Sequence, residues 1–184
     1  TTIHPAFEKA GHYFDVELIH IDLDENMRVN TKLVEKAINR NTILIVGSAP
    51  QYCHGVVDPI SDLSDIALRH GLPLHVDACF GGFMLPWLEK LGYDIPTFDF
   101  RIPGVTSMSA DVHKYGYSSK GASVILYRDE ELRSHQYFAY GSWPGGLFGS
   151  PSLTGSRPGG MIAAAWAALV GTYYVTTFIL INLT

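Results

Sequence analysis

TILIVGSA, residues 42–49, is an unbroken apolar run that ends in Gly47 and Ser48, the pattern of a parallel strand buried on both faces. PLHVDACFGG (73–82) repeats it, a short buried strand ending in small residues. Between them ISDLSDIALRHG (60–71) gathers Leu63, Ile66 and Ala67 on one helical face and stops at Gly71. Working outward, VELIHIDL (16–23) alternates apolar positions and reads as a further strand, and NTKLVEKAINR (30–40) reads as a helix behind a polar cap. A short helix is expected near LPWLEKLGY, strands over VTSMSAD (105–111) and GASVILYR (121–128), and a helix over DEELRSHQY (129–137), whose acidic first turn suits the helix dipole. This βαβα rhythm implies an α/β domain, a mostly parallel sheet flanked by helices with ligands at the carboxyl ends of its strands.

The 184 residues are 47% hydrophobic and 17% charged, as in soluble globular proteins. A net charge of −5 offers no basic field for a polyanion, which argues against nucleic acid as a partner and favours small molecules. Cys53 and Cys79 form no CxxC and suggest neither a disulfide framework nor a metal site. TTIHPAFEKAG carries no basic or apolar targeting segment. Residues 139–160 are rich in Gly and Pro, with Trp143, Phe148 and Arg157 interspersed, and read as a long ordered loop. Residues 161–184 carry no charge. They have the length of a membrane span, but the Ala-rich first half reads better as a buried helix and the β-branched second half as a buried or dangling end.

Asp77 stands at the end of an apolar strand, where an ionised carboxylate is costly without a cation or strong donor; by itself it could equally be a turn residue before Gly81. Lys114 follows another buried strand and would reach the same sheet edge. Apolar surroundings would disfavour its ammonium form and free the amine for attack on a carbonyl, whereas a lone lysine there more commonly snorkels to the surface. The pair changes the balance. An aldehyde cofactor that takes a lysine amine and needs a carboxylate opposite its ring nitrogen is pyridoxal 5'-phosphate. His4 adds a planar ring that could stack on the pyridine, although a lone His before a helix start is by default a surface residue.

HVDACFGGF (75–83), TSMSADVHKYGYSSKG (106–121) and GSRPGG (155–160), in this order and spacing, resemble the sphingosine-1-phosphate lyases among the group II pyridoxal phosphate-dependent decarboxylases. The resemblance runs from about His4 to about Val170. It implies the large domain of the aspartate aminotransferase-like (type I) fold, incomplete, over residues 1–170, with a divergent apolar tail over 171–184. It further implies Lys114 as the Schiff-base lysine, Asp77 as partner of the ring nitrogen and His4 as the stacking ring. His113 would neighbour the cofactor phosphate and Cys79 the cofactor, although a small buried apolar role suits Cys79 equally. Lys120 and Tyr52 would face the substrate's phosphate, and Ser156 would approach a phosphate across a homodimer interface.

The implied reaction is retro-aldol cleavage of a phosphorylated long-chain amine to a fatty aldehyde and phosphoethanolamine, with Lys114, Lys120 and the substrate phosphate all open as the base. Amino-acid decarboxylases of the superfamily typically carry Trp after the His-Lys pair. Here Tyr115 follows, and Lys120 supplies a second cation suited to a phosphorylated substrate. An amino-acid decarboxylase and a truncated, inactive fragment stand as alternatives, since relatives of this kind are more than twice as long. Eukaryotic members are anchored to the endoplasmic reticulum membrane, which implies membrane association of a full-length eukaryotic protein and a cytoplasmic place for a bacterial one.

Overall fold

In the computed structural model, which describes residues 2–182, four strands form one sheet: β1 (Ile45–Ser48), β2 (Leu74–Asp77), β3 (Val105–Ala110) and β4 (Val124–Tyr127), in the order β1-β2-β3-β4. β1, β2 and β3 run parallel and β4 antiparallel to β3. The helices are α1 (Ala6–Phe14), α2 (Thr31–Ala37), α3 (Ile60–His70), α4 (Leu85–Lys90), α5 (Glu130–Ser134) and α6 (Gly159–Asn182). The mixed sheet flanked by helices is the expected α/β architecture.

β2 behaves as a parallel strand because both of its faces are covered, whereas in the first run only Ile45, Gly47 and Ser48 of β1 are buried and Val46 is half-buried. All four residues of β2 are buried. α3 lays Ile60, Leu63, Ile66 and Ala67 into the core with Leu74 and Val76 of β2, and Phe98, Ile102 and Val105 complete it. α3 ends where Gly71 adopts φ 64°, a left-handed cap that costs glycine no Cβ clash. Asn30 caps α2 by accepting from the Leu33 N–H, and Asp129 caps α5 by accepting from Leu132. Buried Asp58 accepts from the amides of Ser48 and Val29 at 2.8 and 3.0 Å, tying the loop before α2 to the end of β1. Burial pushes its carboxyl above the ordinary range, against the pull of those two amides.

Two expectations are corrected. VELIHIDL (16–23) forms no strand; only an isolated bridge joins Leu23 to Val29. Its alternation is real, but the segment does not meet the edge of β1: Leu18, Ile19 and Ile21 face Ile43, Leu44 and Ile45 across a groove of about 640 Å³. The Gly/Pro-rich stretch 139–160 is not simply a loop. It holds most of an antiparallel hairpin, β5 (Phe138–Trp143) and β6 (Gly146–Ser150), turned at Pro144-Gly145 with Gly146 at φ 109°.

The start of the uncharged C-terminal stretch is a helix, but not a buried one. Ile162 and Trp166 of α6 are exposed, because no described element covers them. Among the described residues no helix is long and apolar enough to cross a membrane. Of the apolar tail expected over 171–184, residues 183–184 and the side chains of 173–182 lie outside the described residues.

The turn after β2 fits tightly against its neighbours. A Cβ on Gly81 would stand 2.2 Å from the Ala49 carbonyl oxygen and 2.6 Å from Pro50 Cδ, neither of which can swing aside as a flexible side chain would. Gly81→Ala is therefore expected to cost about 2 kcal/mol of stability, in the range of other overpacked sites, read as a lowered urea midpoint at unchanged slope.

Candidate active site

β1, β2 and β3 deliver their carboxyl ends to one cleft of about 260 Å³. Ser48, Pro50, Gln51 and Tyr52 line it from the end of β1, Asp77, Cys79 and Phe80 from the end of β2, Lys114 from the turn after β3, and Thr2 and His4 from the segment before α1. Four of the side chains singled out in the sequence, Lys114, Asp77, His4 and Tyr52, thus share one space with Cys79. Tyr52, otherwise exposed, stands edge-on to Phe80 at 5.9 Å, and Phe80 edge-on to Tyr115 at 5.1 Å. His4 is itself exposed and accepts the Ala6 N–H on Nδ1.

Asp77 is buried, its carboxylate is a hydrogen-bond partner of the Cys79 thiol, and an amide and a hydroxyl donate to one of its oxygens. Oδ1 accepts from the Cys79 amide and from Ser109 Oγ, both at 3.1 Å. Among the described residues no N–H or O–H is donated to Oδ2. The carboxylate therefore keeps capacity for a cationic N–H entering the cleft.

The charge state of Lys114 corrects the sequence reading. Burial works to lower its pKa, but hydrogen bonds to Cys79 Sγ at 3.1 Å and to the Asp111 carboxylate, with Nζ 3.0 Å from Oδ2, outweigh it, and the net direction is upward. The ammonium is favoured because an anion sits beside it. The Cys79 thiol is pushed up to about 11, chiefly by burial and further by Asp77, against the pull of Lys114; near neutral pH it is a protonated thiol.

Asp111 is a site residue that the sequence reading passed over. It also takes a hydrogen bond from Ser123 Oγ at 2.5 Å and lies 3.5 Å from His113 Nε2. An acid three residues before a lysine in SADVHKYG was the available signal, since such a pair can close over a single turn.

Three expected residues lie outside the cleft lining. His113 turns Nδ1 to the Ala122 carbonyl at 2.7 Å. Lys120 is exposed in the turn before β4, and Ser156 is exposed between β6 and α6.

A lysine amine and a buried carboxylate at the ends of adjacent parallel strands, enclosed by aromatic rings, suit an aromatic aldehyde with a basic ring nitrogen. The model of the pyridoxal-dependent decarboxylase conserved domain matches residues 1–139. The chain belongs to the pyridoxal-dependent decarboxylase family. Within it, the chain is 54% identical over 170 residues to a sphingosine-1-phosphate lyase of Dictyostelium discoideum, covering 92% of this chain and 32% of that protein. It is 52% identical over 167 residues to the Arabidopsis thaliana enzyme of the same name, covering 91% and 31%. The solved structure of Burkholderia pseudomallei K96243 sphingosine-1-phosphate lyase superposes with a TM-score of 0.91 at 54% identity, over 93% of this chain and 39% of that one. The chain thus spans about a third of the length of the curated relatives it matches. The family's cofactor, pyridoxal phosphate, is the group that the donor set of the cleft fits, with Lys114 and Asp77 as the residues that would hold it.

If Asp111 is what keeps Lys114 protonated, Asp111→Asn frees the amine at lower pH. Mass mapping of Lys114 after brief treatment with an amine-reactive reagent across a pH series should show modification beginning at lower pH in the variant than in the parent chain.

Proposed function

We propose that this chain is the central part of a pyridoxal phosphate-dependent carbon–carbon lyase that cleaves sphingosine-1-phosphate-like phosphorylated long-chain bases to a fatty aldehyde and phosphoethanolamine. The observation that carries this reading is the identity of 54% with a sphingosine-1-phosphate lyase over 170 residues, a stretch that takes in nearly the whole chain and with it the Lys114–Asp77 cleft.

When bound, pyridoxal phosphate supplies an aldehyde for amines and a protonated ring that draws off the electron pair of a breaking Cα–Cβ bond. Lys114 Nζ would hold that aldehyde until the substrate's amine takes its place, and Asp77 would accept the ring N–H. His4 would lie on the face of the ring, with Tyr52 and Phe80 forming an apolar wall that excludes water. Asp111, 3.0 Å from Lys114 Nζ, is positioned to take the released lysine as an ammonium. The added proton is thereby held on a paired group instead of standing unpaired beside the substrate. For the proton of the substrate's 3-hydroxyl, Lys114, Lys120 and the substrate phosphate are the candidates, and of the two lysines only Lys114 lines the cleft.

The reading extends to a homodimer of the full-length protein in which Ser156 approaches the cofactor phosphate of the other copy. The β5–β6 hairpin supports this: residues 138–150 carry no charge and leave Phe138, Tyr140, Trp143, Leu147 and Phe148 exposed, an apolar face that a second copy would cover.

Pyridoxal phosphate added to the chain should give a visible absorption band that borohydride fixes covalently on Lys114, and Lys114→Ala should abolish both. The full-length protein should release fatty aldehyde from a phosphorylated long-chain base and leave glutamate and aromatic amino acids unchanged. Absence of the band in the parent chain, or amino-acid decarboxylation in its place, overturns the proposal.

A further inference from the structure

On the same face of β2 as Asp77, one step back from the cleft, lies a second polar side chain inside the sheet's covered face. His75 is buried, and both ring nitrogens are engaged: Nδ1 is 2.8 Å from Ser107 Oγ and Nε2 is 3.3 Å from Ser109 Oγ. Ser109 Oγ then reaches Asp77 Oδ1 at 3.1 Å. The parallel register sets His75 beside Ser107 and Asp77 beside Ser109, and alternate residues of a strand share a face. The four side chains therefore form one ladder that ends in the cleft.

The direction of each bond follows from the last. An ionised carboxylate only accepts, so the single hydroxyl proton of Ser109 is committed to Asp77, and its oxygen is left to accept from His75. His75 must then carry its proton on Nε2, and Nδ1 accepts from Ser107. Every donor points toward Asp77, and bonds so aligned polarise one another. Burial holds the His75 ring neutral by lowering its pKa, although the charge on Asp77 works the other way. Phe7 of α1 closes the outer side of the ring, centroid to centroid 6.1 Å.

We propose that Ser109, backed by His75 and Ser107, is a positioning residue that fixes the Asp77 carboxylate for the ring nitrogen of a pyridinium. This rests on the pyridoxal phosphate reading of the cleft. Ser109 and the Cys79 amide together pin Oδ1, which sets the carboxylate plane and turns Oδ2 to the ligand. A ladder that merely stitched β2 to β3 would need no fixed polarity and would make no difference to a ligand of Asp77.

Two measurements test the proposal. Without cofactor, ¹⁵N NMR of the chain reads the His75 tautomer at neutral pH: Nε2–H is expected, and Nδ1–H or a doubly protonated ring overturns the ladder's direction. With pyridoxal phosphate titrated in, Ser109→Ala should weaken uptake roughly ten-fold, as loss of one hydrogen bond to a charged group does, and should shift the visible band. Ser109→Thr, which keeps the hydroxyl, should restore both, and His75→Leu should cause a smaller loss in the same direction. Uptake and spectrum unchanged in Ser109→Ala, or Ser109→Thr as impaired as Ser109→Ala, overturns this proposal alone. A parent chain that takes up no cofactor overturns it together with the reading on which it rests.

Discussion

Between the end of β1 and the end of β3 there is room for backbone but not for side chains. A Cβ on Gly81 would meet the Ala49 carbonyl, and one on Gly82 would come within 2.7 Å of Ala110 Cβ. The turn that follows β2 is pressed into this space and anchored there, Ala78 N–H to Ser109 O at 3.0 Å and Asp111 N–H to Cys79 O at 3.1 Å. The cleft depends on that fit. It brings Cys79 to Lys114, lets the Cys79 amide hold Asp77, and keeps Asp77 and Lys114 at one edge though they lie on separate strand ends.

Electrostatics at this edge are arranged around a held carboxylate and a paired ammonium. Asp77 is a fixed acceptor, held by donors that do not change. Cys79 and Asp111 stabilise the charged form of Lys114 against the effect of burial, so the lysine rests as an ammonium beside Asp111. A protonated Cys79 thiol beside it adds no second anion to that balance. On the proposed reading of the cleft, an aldehyde would take the amine from that paired state and not from a permanently neutral one.

What could be read from the sequence follows from what each segment touches. β1, β2 and α3 are legible because their apolar patterns are answered inside the chain, strand against strand and helix over both. VELIHIDL misleads for the opposite reason: its alternation describes a strand, but alternation does not say whether a neighbouring edge is there to pair with, and here a groove intervenes. The β5–β6 hairpin is hidden by the glycines and prolines that make its turn. Asp77 and Lys114 stand out because polar residues at the ends of apolar strands are unusual. Asp111, Ser109 and His75 escape notice because Asp and Ser are ordinary in such positions and His75 reads as one more strand residue; only the register shows that His75 and Ser109 connect.

The chain around the start of α1 lies on two sides of Asp77. His4, just before the helix, lines the open space, and Phe7 in its first turn packs against His75 behind the carboxylate. A tilt of the nine-residue helix that carried this lead-in with it would shift His4 in the cleft and draw Phe7 from the buried imidazole in the same movement. The open and the buried side of the aspartate are thus joined through one short stretch of chain, and a substitution on the outer face of α1 would be felt on both sides of it at once.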